Sequence, residues 1–161
     1  MCDLVALGTV ADAVPLIEEN RLFCRAGLDV LRSGRHRTGI AALLSTCGVP
    51  HHSLDTEDIA FKLAPRLNAA GRMAHARLAA ELLKTDRAEK AQRIARRLNH
   101  LNEHRKKTES RIMAEIESHL KDRPGELSRK ALVLAQHNWH EGVLGIVAAR
   151  LTERYCRPVV L

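Results

Sequence analysis

From Asp86 to Lys121, apolar side chains recur at steps of three and four, at Ile94, Leu98, Leu101, Ile112, Ile116 and Leu120, with Thr108, two turns after Leu101, keeping the register between them. That spacing lines one face of a helix and predicts a single element of nine or ten turns, at roughly 1.5 Å of rise per residue. Asp86 and Glu89 form a capping pair at its start, and Asp122-Arg123-Pro124-Gly125 ends it. A helix of that length is seldom wrapped inside one small domain and more often joins two. The 161 residues therefore read as parts of two domains with a connector between them.

The flanking segments fit an α/β protein that is predominantly helical. Asp3 to Asp12 is small and apolar and predicts a short buried helix or strand, stopped by Val14-Pro15. Glu18 to Ser33 predicts an amphipathic helix whose apolar face carries Leu22, Phe23, Ala26, Leu28, Val30 and Leu31. Gly39 to Cys47 is a shorter helix stopped by Gly48 and Pro50. A further helix starts near Asp55, with Asp58 in capping position, and is interrupted at Pro65. Beyond the long helix, Ala131–Ala135 reads as a short buried strand, Gly142–Tyr155 as a buried helix and Pro158–Leu161 as a second strand. Strand, helix and strand in that order open an α/β unit that needs further strands to bury its sheet, so the chain is expected to be a truncated piece.

Composition narrows the partners. The net charge of +7 favours polyanions, because each neutralised phosphate releases condensed counterions. Aromatic residues make up only 2% of the chain, which excludes a stacking platform of the kind that single-strand-binding folds use. No apolar run approaches the roughly 18–20 residues of a membrane span, and no secretory leader is visible, so a cytoplasmic location without membrane association is expected. Cys2, Cys24, Cys47 and Cys156 are widely spaced, which points to free thiols.

Three segments carry a resemblance. Asp3-Leu-Val-Ala-Leu-Gly-Thr-Val-Ala-Asp12-Ala-Val-Pro-Leu16 is similar to the last motif of the catalytic domain in the RecJ branch of the DHH phosphoesterase family. Pro65-Arg-Leu-Asn-Ala-Ala-Gly-Arg72 resembles the loop that follows it there. Trp139-His-Glu-Gly-Val-Leu-Gly-Ile-Val-Ala-Ala-Arg150, with Arg157-Pro158, resembles the opening of the DHH-associated second domain. All three stand in register along the chain. The resemblance implies residues 1–84 as the C-terminal part of the phosphoesterase domain, 85–123 as the connecting helix and 124–161 as the start of the associated domain.

What it implies chemically is a metal-dependent 5′-to-3′ exonuclease acting on single-stranded DNA in repair and recombination, with DNA-repair proteins as possible partners. Two Mn2+ or Mg2+ ions would activate water and stabilise the leaving oxygen. Asp12 is the position that matches a metal ligand and so carries the catalytic assignment. Asp3 is the alternative, and it could instead cap the opening helix. Arg66, Asn68 and Arg72 correspond to contacts with the DNA backbone or its terminal phosphate, with Ala69-Ala70-Gly71 allowing close approach and two guanidiniums flanking it. His140 and Gly142 correspond to a phosphate contact at a helix start, although His140 could equally bond only to backbone and Trp139 serve as packing.

His51-His52 is not the family's Asp-His-His: Pro50 precedes it, it lies after Asp12, and its setting is that of exposed loop residues. The cations of the long helix read first as a solvated face, and second as a surface that steers DNA. One or two carboxylates cannot hold two ions that each take about six ligands, so the chain alone is expected to be inactive. Two other readings stay open: a short-oligonucleotide or cyclic-dinucleotide phosphodiesterase of the same superfamily, and a non-catalytic nucleic-acid-binding or replication scaffold.

Overall fold

The opening segment folds as a helix, α1 (Cys2–Ala11), in a computed structural model that describes all of residues 1–161. Asp12 ends it, and Ala13 follows in the left-handed region at φ 51°. The Ala13 amide bonds to the Val10 carbonyl and the Val14 amide to the Thr9 carbonyl, which is the hydrogen-bond pair of a Schellman closure with alanine where glycine is usual. A side chain in that region costs roughly 1–2 kcal/mol.

Helix α2 (Glu18–Arg32) packs on α1 through Gly27, where a Cβ would lie 2.2 Å from the Cys2 carbonyl oxygen. That close approach sets which face is buried: Cys24, Gly27 and Leu31 turn inward. The expected apolar face is therefore only partly the buried one. Leu22 and Phe23 stand 69% and 49% exposed, because α1 can come close only where α2 has no side chain. Helix α3 (Thr38–Cys47) ends at Gly48 in the left-handed conformation, as the sequence suggested.

The next helix begins as expected, with a reciprocal capping box between Asp55 and Asp58. It does not break at Pro65. α4 (Thr56–Asp58) runs through a π-helical stretch, Ile59–Leu63, into α5 (Ala64–Met73), so the segment expected to be a loop is helical. Proline lacks an amide and its ring crowds the carbonyl four residues back; the wider π turn ahead of it, together with its place in the first turn of α5, accommodates both. Helix α6 (Arg77–Lys84) has no counterpart among the expected elements and abuts α3 at Gly39, where a Cβ would lie 1.9 Å from the Leu82 carbonyl oxygen.

The long helix is α7 (Ala88–Asp122), 35 residues against the expected stretch from Asp86 to Lys121. The chain divides within it into units of residues 1–102 and 103–161. In the first, Leu31, Ile40, Leu43, Leu54, Ile59, Leu63 and Leu82 pack with Ile94, Ala95, Leu98 and Leu101 of α7 into one apolar core. In the second, strands β1 (Leu132–Val133) and β2 (Val159–Val160) pair in parallel, with helix α8 (Glu141–Tyr155) between them in sequence. Ile112, Ile116, Leu120, Leu132, Val143, Val147 and Leu151 are buried there. Only the Val143, Val147, Leu151 stripe of α8 is covered, so this helix is one-sided and not buried all round. The architecture is mostly helical with one small parallel sheet, and no helix is long and apolar enough to cross a membrane.

Candidate functional site

Helix α1 carries both aspartates singled out in the sequence. Asp12 is exposed at its C-terminal end, beside the strained Ala13. Asp3 lies in the first turn and is only 4% exposed. Nine residues of helix separate them by about 13 Å, too far for one cation to touch both. The Asp3 carboxylate accepts from Arg37 Nε at 3.1 Å on Oδ2. The N-terminal ammonium lies 3.3 Å from Oδ1 but off the line of a hydrogen bond, which leaves that buried oxygen without a hydrogen-bond donor. Burial works against the negative charge; the Leu4 amide, the ammonium and the Arg37 guanidinium outweigh it and hold the carboxyl below its ordinary range. The helix N-terminus also favours an anion there.

The three residues expected to meet a phosphate do not converge on one point. Arg66 Nε donates to Asn99 Oδ1 at 2.8 Å and Nη1 to the Lys62 carbonyl at 2.6 Å, so its guanidinium ties α5 to α7 and takes up a carbonyl of the π stretch. Asn68 and Arg72 are four residues apart, share one helix face and are exposed. Arg66 and Arg72, six apart, are turned about 120° from each other, so two guanidiniums do not flank one point. Ala69 and Ala70 are buried in the core, and a Cβ at Gly71 would meet only Ala76 Cβ at 3.6 Å. The small residues of this segment thus serve packing, and Gly71 marks no close approach within the chain.

At the start of α8, His140 is the N-cap, and its Nδ1 accepts from the Gly142 amide at 3.1 Å. The imidazole therefore makes the backbone bond that the sequence left open as one of two readings, and the Gly142 amide is engaged by it. Trp139 Nε1 donates to Glu115 Oε2 at 2.8 Å. His51 and His52 are exposed in the turn His51–Ser53, as expected of loop residues, and His51 Nδ1 is bonded to the Arg32 carbonyl at 2.8 Å.

Arg37 escaped the sequence reading, and Glu109 was expected on the solvated face of the long helix but is buried. Arg37 gave no sign of its partner 34 positions away. Glu109, 3% exposed, holds Arg105 Nη1 at 3.1 Å and Arg150 Nη1 at 2.5 Å. Its i to i+4 spacing from Arg105 was the one visible signal. Nowhere do three or more His, Cys, Asp or Glu side chains converge in a way that could hold a metal ion.

No family model matches the chain. It is 41% identical over 162 residues to the single-stranded-DNA-specific exonuclease RecJ of Salmonella typhimurium, covering 99% of this chain and 28% of that protein. With RecJ of Bacillus subtilis it shares 38% identity, covering all of this chain and 20% of the relative. A crystal structure of exonuclease RecJ bound to manganese superposes with a TM-score of 0.87 at 35% identity, over 98% of this chain and 39% of that one. RecJ of Thermus thermophilus in complex with Mg2+ gives 0.82 at 34% identity, over 98% and 24%. The chain thus spans less than a third of the length of the curated relatives it matches.

Proposed function

Over its whole length this chain is homologous to part of the RecJ exonucleases, and on that premise we propose that it is a working segment of a single-stranded-DNA-specific 5′-to-3′ exonuclease. The observation that carries this is the superposition of 98% of the chain on manganese-bound RecJ at a TM-score of 0.87. Within this reading, residues 1–84 belong to the phosphoesterase domain, 85–123 to the joining helix and 124–161 to the opening of the associated domain. DNA repair and recombination in the cytoplasm, alongside other repair proteins, is the role that goes with it.

The relatives of known structure bind Mn2+ or Mg2+. The donors present here do not fit a pair of such ions, since no cluster of three converges and each ion takes about six ligands. Asp12 offers one carboxylate at an exposed helix end. Asp3, with its buried Oδ1 lacking a hydrogen bond, is the second candidate. No hydrolytic step is assigned to this chain by itself. Asn68 and Arg72 form the exposed pair facing the DNA backbone, with Arg66 holding their helix in place.

Gel shift and digestion assays on the 161-residue chain test this reading. The expected outcome is binding to a labelled single-stranded oligonucleotide that weakens with salt, and no shortening of it with manganese. Absence of binding, or digestion by the chain alone, would contradict it.

A further inference from the structure

Within residues 103–161 a cavity of about 240 Å³ opens beside the residues that follow β1, the carboxyl end of a parallel strand, where α/β folds place their ligands. Its apolar wall is Ile116, Val133, Leu134 and Trp139. The indole is held in place by Glu115 through the Nε1 bond at 2.8 Å. Of the polar groups that line the cavity, the carboxylates are already committed: Glu115 holds Trp139 and Arg111 Nη1 at 3.3 Å, and Glu126 lies 3.3 Å from His119 Nε2. The Arg123 guanidinium and the Gln136 amide line the same cavity and make no side-chain bond within the chain.

We propose that this cavity is a mononucleotide site, taking one base of a DNA strand against Trp139, with Gln136 on the base edge and Arg123 on the phosphate. An aromatic ring stacks on any base and contributes roughly 1–3 kcal/mol per base. A glutamine amide matches the donor and acceptor of adenine. A guanidinium matches a phosphate at two points. The volume lies below the roughly 300–1,000 Å³ of pockets that enclose a drug-sized ligand, so the cavity takes a single base and does not enclose a longer stretch of strand. A chain with 2% aromatic residues has no stacking platform, yet one indole is enough for one base. The identity of the polymer rests on the nuclease reading; the nucleotide chemistry of the cavity does not.

Trp139 is the only tryptophan in the chain, so its fluorescence reports the cavity directly. Titration of the intact chain with dAMP is expected to give a saturable change at millimolar or lower concentration, about tenfold weaker in Arg123→Gln and several-fold weaker in Gln136→Ala. Deoxyadenosine should lose about the same factor as Arg123→Gln, and inorganic phosphate alone should leave the indole signal unchanged. Circular dichroism of each variant confirms that it is folded. No saturable response to dAMP, or equal responses in the wild type and both folded variants, overturns the site. A response to dAMP without binding of single-stranded DNA would sink the nuclease reading and leave the cavity's role standing.

Discussion

Asp3 Oδ2 accepts from Arg37 Nε at 3.1 Å, which ties the first turn of α1 to the residue that precedes α3. This pair links two helices of the same core and makes the fold sensitive to acid. Because the Asp3 carboxyl is held below its ordinary range in the folded state, its stabilisation is complete above the unfolded value near 4 and is lost as pH falls through the folded value. The urea midpoint is expected to drop as pH falls from about 5 toward 2, and Asp3→Asn to flatten that drop. A wild-type profile with no acid limb would contradict the assignment.

The glycines separate packing from conformational freedom. Gly39→Ala places a Cβ 1.9 Å from a backbone oxygen of α6, and a loss of about 2 kcal/mol or more is expected from such overpacking. Gly71→Ala meets only an ordinary contact inside a helix and is expected to gain roughly 0.5–1 kcal/mol. Chemical denaturation of both variants checks the pair of signs.

Ala13, left-handed behind Asp12, gives a third expected outcome. Ala13→Gly relieves the backbone and should stabilise the chain by about 1 kcal/mol, read as a rise in the thermal midpoint.

Arg66 and Arg72 are expected to behave differently despite their shared segment. Arg66→Ala removes the bonds to Asn99 and the Lys62 carbonyl and should cost roughly 1–2 kcal/mol of stability. Arg72→Ala should lower the salt dependence of single-stranded DNA binding by about 0.7 in log–log slope, the share of one phosphate contact. Denaturation and binding isotherms at several salt concentrations distinguish them.

The elements read correctly from the sequence are those written locally. The stripe from Ile94 to Leu120, the Asp55 capping box and the helix stop at Gly48 each rest on residues within a turn or two of one another. What was not legible depends on distant partners. Nothing near Pro65 announces the π stretch that lets the helix continue, and α2 turns Cys24 and Leu31 inward because Gly27 meets α1. The candidate site follows the same division. Asp12, Arg66, Asn68 and Arg72 could be named only through the resemblance of their segments, since local pattern alone reads them as a helix end and surface polar groups, whereas the engagement of Arg66 by Asn99, and of Asp3 by Arg37, spans more than 30 residues.

A chimera tests the central claim most directly: residues 1–161 in place of the matching stretch of the Salmonella typhimurium relative, assayed with manganese on an end-labelled single-stranded oligonucleotide. The expected result is manganese-dependent digestion that is abolished by Asp12→Ala. A folded chimera that binds the oligonucleotide but never shortens it, under conditions where the parent relative does, would contradict the claim.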